Sequence, residues 1–134
     1  MLRYATAFAG NPETTYRSID LAGKTGGADP HALVGLLYAE CSHALRAAAR
    51  AAENGRLDVK SDRVTRAIAI LFALETGLDF EKGGEVSKTL SRLYRGARQT
   101  VVDASLGSDP TPFVTVASTL DDIAGAWAGV RNHH

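Results

Sequence analysis

The sequence predicts an all-α fold, an antiparallel up-down four-helix bundle with a short helical head segment at its N-terminus. Three observations predict it. Strand signals are almost absent, apolar residues recur at i, i+3 and i+4, and turns carrying Gly, Asn-Gly or Asp-Pro cut the chain into four helical segments of similar length. Long helices joined by short turns pack most economically as antiparallel neighbours. The expectation is a single domain spanning residues 1–134, with a head or lid over 1–28 and bundle helices at 29–54, 59–77, 85–106 and 110–129.

In the head, Pro12 to Lys24 fit a short helix with Tyr16 and Ile19 on one side. Asp29-Pro30 then places a capping carboxylate before a proline at the first helical position, where the missing N–H costs nothing. The first helix runs through Leu33, Leu37, Ala44, Leu45 and Ala48 until Asn54-Gly55 supplies a left-handed stop. Its length is about 24 residues, or roughly 36 Å at 1.5 Å per residue.

The second helix, from Val59 or Ser61 to Thr76 with Gly77 as its stop, is the unusual one. Ala67 to Leu74 is apolar at eight consecutive positions, so at about 100° per residue no polar face remains over two turns. A bundle buries one side of a helix. The other side is expected to be covered by the head, a second copy or a partner, because large exposed apolar patches mark interaction sites.

Gly83-Gly84 breaks the pattern next, since each glycine is less favourable in a helix than alanine by about 1 kcal/mol. The pair reads as the corner at which the second helix folds back on the third, which restarts at Glu85. Paired alanine substitution is expected to lengthen the helix, misalign Phe80 and Tyr94, and weaken the bundle. The third helix sets Val86, Leu90, Leu93, Tyr94, Ala97, Val101 and Ala104 on one face and Lys88, Arg92, Arg95 and Gln99 on the other. Leu106 to Pro110 ends it, with Asp109 as the next cap and Pro110 and Pro112 confined to the tolerant first turn. The fourth helix presents Phe113, Val116, Ala117, Leu120, Ala124 and Trp127.

Composition excludes several functions. Fifteen basic residues balance fifteen acidic ones, whereas a nucleic acid or anionic membrane partner requires an excess of Lys and Arg. Cys41 is the only cysteine, so no intramolecular disulfide forms, which fits a cytoplasmic location. The longest purely apolar run falls well short of the roughly 20 residues that cross a bilayer, so no membrane insertion is expected. His133 and His134 receive no functional weight.

No catalytic, metal or cofactor site emerges either. Gly23-Lys24-Thr25 resembles part of a phosphate-binding loop, but Ser18 stands where a glycine is required and no strand precedes it. Cys41 and His43 point to different faces of one helix, with His31 almost three turns away, so they make no metal site. Asp121-Asp122 and Asp79/Glu81 read as solvated or capping charges, and no nucleophile elbow accompanies the serines. No small-molecule substrate is implied. An alternative from another class is a histidine phosphotransfer bundle, with His43-Ala-Leu-Arg46-Ala47 half fitting its motif. A helical regulatory module with some other protein partner is a further alternative.

One segment is far more specific than the rest. Leu78-Asp-Phe-Glu-Lys-Gly-Gly-Glu-Val-Ser-Lys-Thr-Leu-Ser-Arg-Leu-Tyr94 resembles the LDFEKGGEIA…L..LY segment of the FliS family. Four further places resemble the family in order. These are Tyr16-Arg-Ser-Ile-Asp20, Ala28 to Tyr38, Lys60 to Leu78, and Ser108-Asp-Pro110 with the apolar helix ending in Trp127. Ala39-Glu40 depart from the usual Asp-Gly, and the first fifteen residues are longer than the usual head.

The resemblance implies a flagellar export chaperone, a helical bundle with a binding function and no chemistry. It implies that the partner is the C-terminal, otherwise disordered segment of flagellin, kept from premature polymerisation and competent for the flagellar type III export gate, itself a further partner. A helical scaffold with spare apolar grooves can stand in for neighbouring filament subunits. The residues expected to contribute are Ile70, Phe72, Leu74, Phe80, Leu90 and Tyr94, with Tyr16 and Ile19 as a displaceable lid.

Overall fold

The computed structural model describes residues 30–132, with the side chains of 31–130. The expected head over 1–28, including Tyr16 and Ile19, lies outside the described residues. Four helices make up the rest: α1 Pro30–Glu53, α2 Leu57–Thr76, α3 Phe80–Ser105 and α4 Thr111–Asn132. Each packs on its neighbour in sequence, and α4 closes back onto α1. Short connections between long, mutually packed helices require antiparallel neighbours, so the bundle is up-down with α1/α3 and α2/α4 on its diagonals.

Several boundaries have a local cause. At the end of α1, Gly55 takes φ 67, and the Arg56 N–H reaches back to the Ala51 carbonyl at 2.9 Å. That is the left-handed glycine stop expected from Asn54-Gly55. Helix α2 begins at Leu57, sooner than expected, with Arg56 in the capping position and no side-chain cap bond. Lys60 in its first turn is buried, and its ammonium donates to the Gly107 carbonyl at 2.7 Å. This ties α2 to the α3–α4 connection. At α4, the Asp109 carboxylate accepts from the Thr111 N–H at 2.9 Å, and that bond holds its pKa below the usual value.

The glycine pair does something other than turn the corner. The reversal falls at Gly77–Asp79, and α3 starts at Phe80 rather than Glu85. Asp79 is the reason: its side chain accepts from the Lys82 N–H at 3.0 Å, capping a first turn upstream of the glycines. Gly84 then kinks α3, with φ 50 and ψ −124. Gly83 has a separate function. A Cβ there would lie 1.9 Å from the Ser87 hydroxyl oxygen, which donates to the Asp79 carbonyl at 2.9 Å. The same carbonyl accepts the Gly83 N–H at 2.8 Å. Backbone at φ 50, ψ −124 is strained for any residue with a side chain, by about 1–3 kcal/mol. Gly84→Ala should therefore lower the unfolding free energy by that amount in a denaturant melt, although nothing lies near enough to clash with the new methyl.

The core is centred on α1. Val34, Leu37, Tyr38, Cys41, Ala44, Leu45 and Ala48 are buried along it, against Val64, Ala67, Ile70, Leu71 and Leu74 of α2 and Phe113, Ala117 and Leu120 of α4. The alanines on facing helices leave room for close approach. Across the α1/α3 diagonal, the fully buried Tyr38 and Tyr94 share a hydroxyl–hydroxyl hydrogen bond of 2.6 Å. At the start of α1, Trp127 stacks on His31 with ring centroids 4.3 Å apart, and its indole N–H donates to the His31 carbonyl at 2.8 Å. The end of α4 is thereby anchored to the start of α1.

Candidate partner-binding surfaces

The four seams of the bundle are not filled equally. Helices α3 and α4 share the thinnest of them. On α3 the stripe Leu90, Leu93, Ala97 and Ala104 is only partly buried against the core, and Ile123 and Ala124 on α4 are in the same condition. Between them runs an open, mostly apolar groove of about 180 Å3, with Leu93, Ala97 and Thr100 on one wall and Thr115, Val116, Thr119 and Leu120 on the other. The cause is residue volume. Ala97 and the three threonines are too small to interdigitate across the seam, so the larger Leu93 and Leu120 line its floor without closing it.

A second surface lies over α2 and α3. Phe72 is 55% exposed, with the Arg98 guanidinium carbon 5.4 Å from its ring centroid. Glu75 accepts from Arg95 at 2.5 Å and from Arg98. Burial opposes ionisation of Glu75, but the two arginines outweigh it and hold the carboxyl below its ordinary pKa. A depressed pKa means that this network contributes stability above the unfolded-state value and loses it as pH falls through the folded one. Glu75→Gln should accordingly destabilise the bundle by about 1 kcal/mol or less near neutrality. The difference in melting temperature between the two proteins should shrink as pH falls below about 4.5, the ordinary glutamate value.

The expected contact residues divide between surface and core. Phe72 and Phe80 are exposed, the latter at 48%, and Leu90 is partly buried on the α3–α4 side. Ile70, Leu74 and Tyr94 are corrections: all three are fully buried members of the core and offer no surface to a partner in this form. The apolar run of α2 explains the difference. With α1 on one flank and α3 on the other, Ala67, Ile70, Leu71, Ala73 and Leu74 are covered, which leaves Phe72 as its one large exposed side chain. Sequence reasoning assigned Leu93, Ala97, Val116 and Leu120 only to bundle faces, and Thr100, Thr115 and Thr119 to nothing. The signal was there in the small residues at facing positions, but which helices face each other is a tertiary fact.

Burial pushes the Cys41 thiol far above its ordinary pKa, and its weak contact is to the Ala67 carbonyl. Such a thiol is unsuited to nucleophilic work. Among the described residues no group of His, Cys, Asp and Glu side chains could hold a metal ion, and no helix is long and apolar enough to cross a membrane.

Fold and surfaces together define a helical-bundle protein whose distinguishing features are seams and patches suited to another polypeptide. Residues 12–134 match the family model described as "Flagellar protein FliS". The chain belongs to the FliS family, flagellar secretion chaperones rather than enzymes. It is similar to the flagellar secretion chaperone FliS of Salmonella typhimurium, 33% identical over 113 residues that cover 84% of each chain. The Vibrio cholerae FliS is 28% identical over 112 residues, covering 84% of this chain and 82% of that one. The FliSB of Pseudomonas aeruginosa is 29% identical over 117 residues, covering 87% and 93%. Phosphotransfer at His43, an exposed residue of α1, gains no support from any of these.

Proposed function

We propose that this protein binds the C-terminal segment of flagellin in the cytoplasm, keeps it from polymerising early, and delivers it to the flagellar export gate. The observation that carries this reading is the under-filled α3–α4 seam, an open, mostly apolar groove about two helical turns long. An amphipathic segment laid into it places apolar side chains against Leu90, Leu93, Ala97 and Leu120, while the threonine rims face its polar edge. Phe72 and Phe80 extend the contact onto neighbouring faces, and Tyr16 and Ile19 act as the displaceable lid. Ordering a disordered segment costs about 2–5 kcal/mol or more, which favours an extended wrapped surface over one deep pocket.

The test is direct. Mixed with its cognate flagellin, the protein should form a complex that survives gel filtration and is lost when the flagellin C-terminal segment is deleted. Absence of a complex at concentrations of about tens of micromolar, near −6 kcal/mol of binding free energy, would overturn the reading.

A further inference from the structure

On the side of the bundle opposite the α3–α4 seam, α1 and α2 enclose a second, shallower groove of about 370 Å3. Its chemistry is different. His43, Arg50, Arg56 and Arg63 line it above a floor that includes Ala47 and Val59, and no acidic side chain does. Arg50 and Arg56 make no ion pair among the described residues, and Arg63 has only a loose contact to Asp62 at 3.9 Å. Glu53 and Asp58 flank the α1–α2 connection, exposed and outside the groove wall.

Arg50 has an ordinary explanation, since a cation in the last turn of α1 complements the negative end of the helix. Arg56 has none. It occupies the capping position of α2, where unpaired N–H groups already concentrate positive charge, and its side chain makes no cap bond. Asp58 in the first turn relieves part of that repulsion. Three arginines therefore line one groove that no acidic side chain lines, and an anion entering it would relieve their mutual repulsion.

We infer that this α1–α2 groove is a second docking surface, for a carboxylate-rich peptide segment of a partner protein. Guanidinium groups match carboxylates as two-pronged donors, and the small apolar floor accommodates the side chains that alternate with the acids. A phosphate polymer fits less well, because the chain's net charge of zero supplies no long-range attraction to a polyanion. The two seams lie on opposite sides of the bundle, so an occupant of the α3–α4 groove leaves this one open.

The experiment uses fluorescence polarisation of the full chain with three labelled probes. These are a peptide alternating Glu with Ala and Val, the same peptide with Gln for Glu, and a uridine oligonucleotide. The acidic peptide should bind about tenfold or more tightly than its Gln counterpart, and should weaken between roughly 50 and 300 mM salt. Arg50→Gln combined with Arg56→Gln should cost about tenfold while the melting temperature falls by no more than a few degrees, the helix-end contribution of Arg50, and Arg56→Gln alone should give a smaller loss of affinity with the melting temperature unchanged. Equal affinity for the acidic and Gln peptides, no binding at all, or binding that survives the double substitution would overturn the inference. Oligonucleotide binding with the same arginine dependence would also overturn it, by making the groove a general polyanion site.

Discussion

Tyr94→Ala should lower the unfolding free energy by about 3–5 kcal/mol, the largest stability effect of any single substitution considered. The side chain is fully buried on α3 and its hydroxyl meets that of Tyr38 across the bundle at 2.6 Å. Truncation removes the ring from the middle of the core, opens a cavity that rigid helices cannot collapse, and takes one partner from the Tyr38 hydroxyl. A domain of this size has about 5–15 kcal/mol in total. The loss is therefore a large fraction of it, and a urea titration should show the midpoint falling steeply. Tyr94→Phe separates the terms, since it keeps the ring and should cost only about 1–3 kcal/mol. Two substitutions of equal effect would mean that the hydroxyl pair, rather than the ring, holds α1 and α3 together.

The second large effect concerns binding. Thr119→Arg places a long charged side chain in the α3–α4 groove from an exposed position on α4. Arginine is a good helix former, so the bundle should melt within a few degrees of the original protein. Affinity for the flagellin C-terminal segment should fall about 100-fold, close to 2.7 kcal/mol, the scale of an interface hot spot. Thr65→Arg is the matched control, another exposed threonine, on α2 and outside the groove wall. Equal losses in both variants would indicate a general charge effect and remove the seam from the account.

These expectations rest on features of unequal legibility. The stop of α1 at Gly55 was readable because Asn-Gly acts through local backbone geometry. The start of α2 was not, because Arg56 is no capping residue and carries no local signal. At α3 two local signals compete. The glycine pair advertises a break, but Asp79 caps the chain before it, so the helix begins early and bends at Gly84 instead of starting there.

Site residues were harder still. Periodicity placed Tyr94 on the correct inward face of α3 but could not say that the face was covered, and its partner Tyr38 lies 56 positions away. For α2, the absence of a polar face led to the expectation that the head, a second copy or a partner covers one side, whereas α1 and α3 flank it. What the flanks were, other helices of the same chain rather than a foreign one, decides that Ile70 and Leu74 are core and only Phe72 is exposed. The groove itself depends on the smallness of Ala97, Thr100, Thr115 and Thr119 across a seam, which is visible only once α3 and α4 are placed side by side.

Hydrogen exchange of the protein, alone and saturated with the flagellin C-terminal segment, tests the central claim most directly. Binding in the α3–α4 seam predicts added protection concentrated in residues 90–104 and 113–124, with the α1–α2 connection at 54–56 unchanged. Protection confined to α1 and α2, with none along α3 and α4, would contradict it.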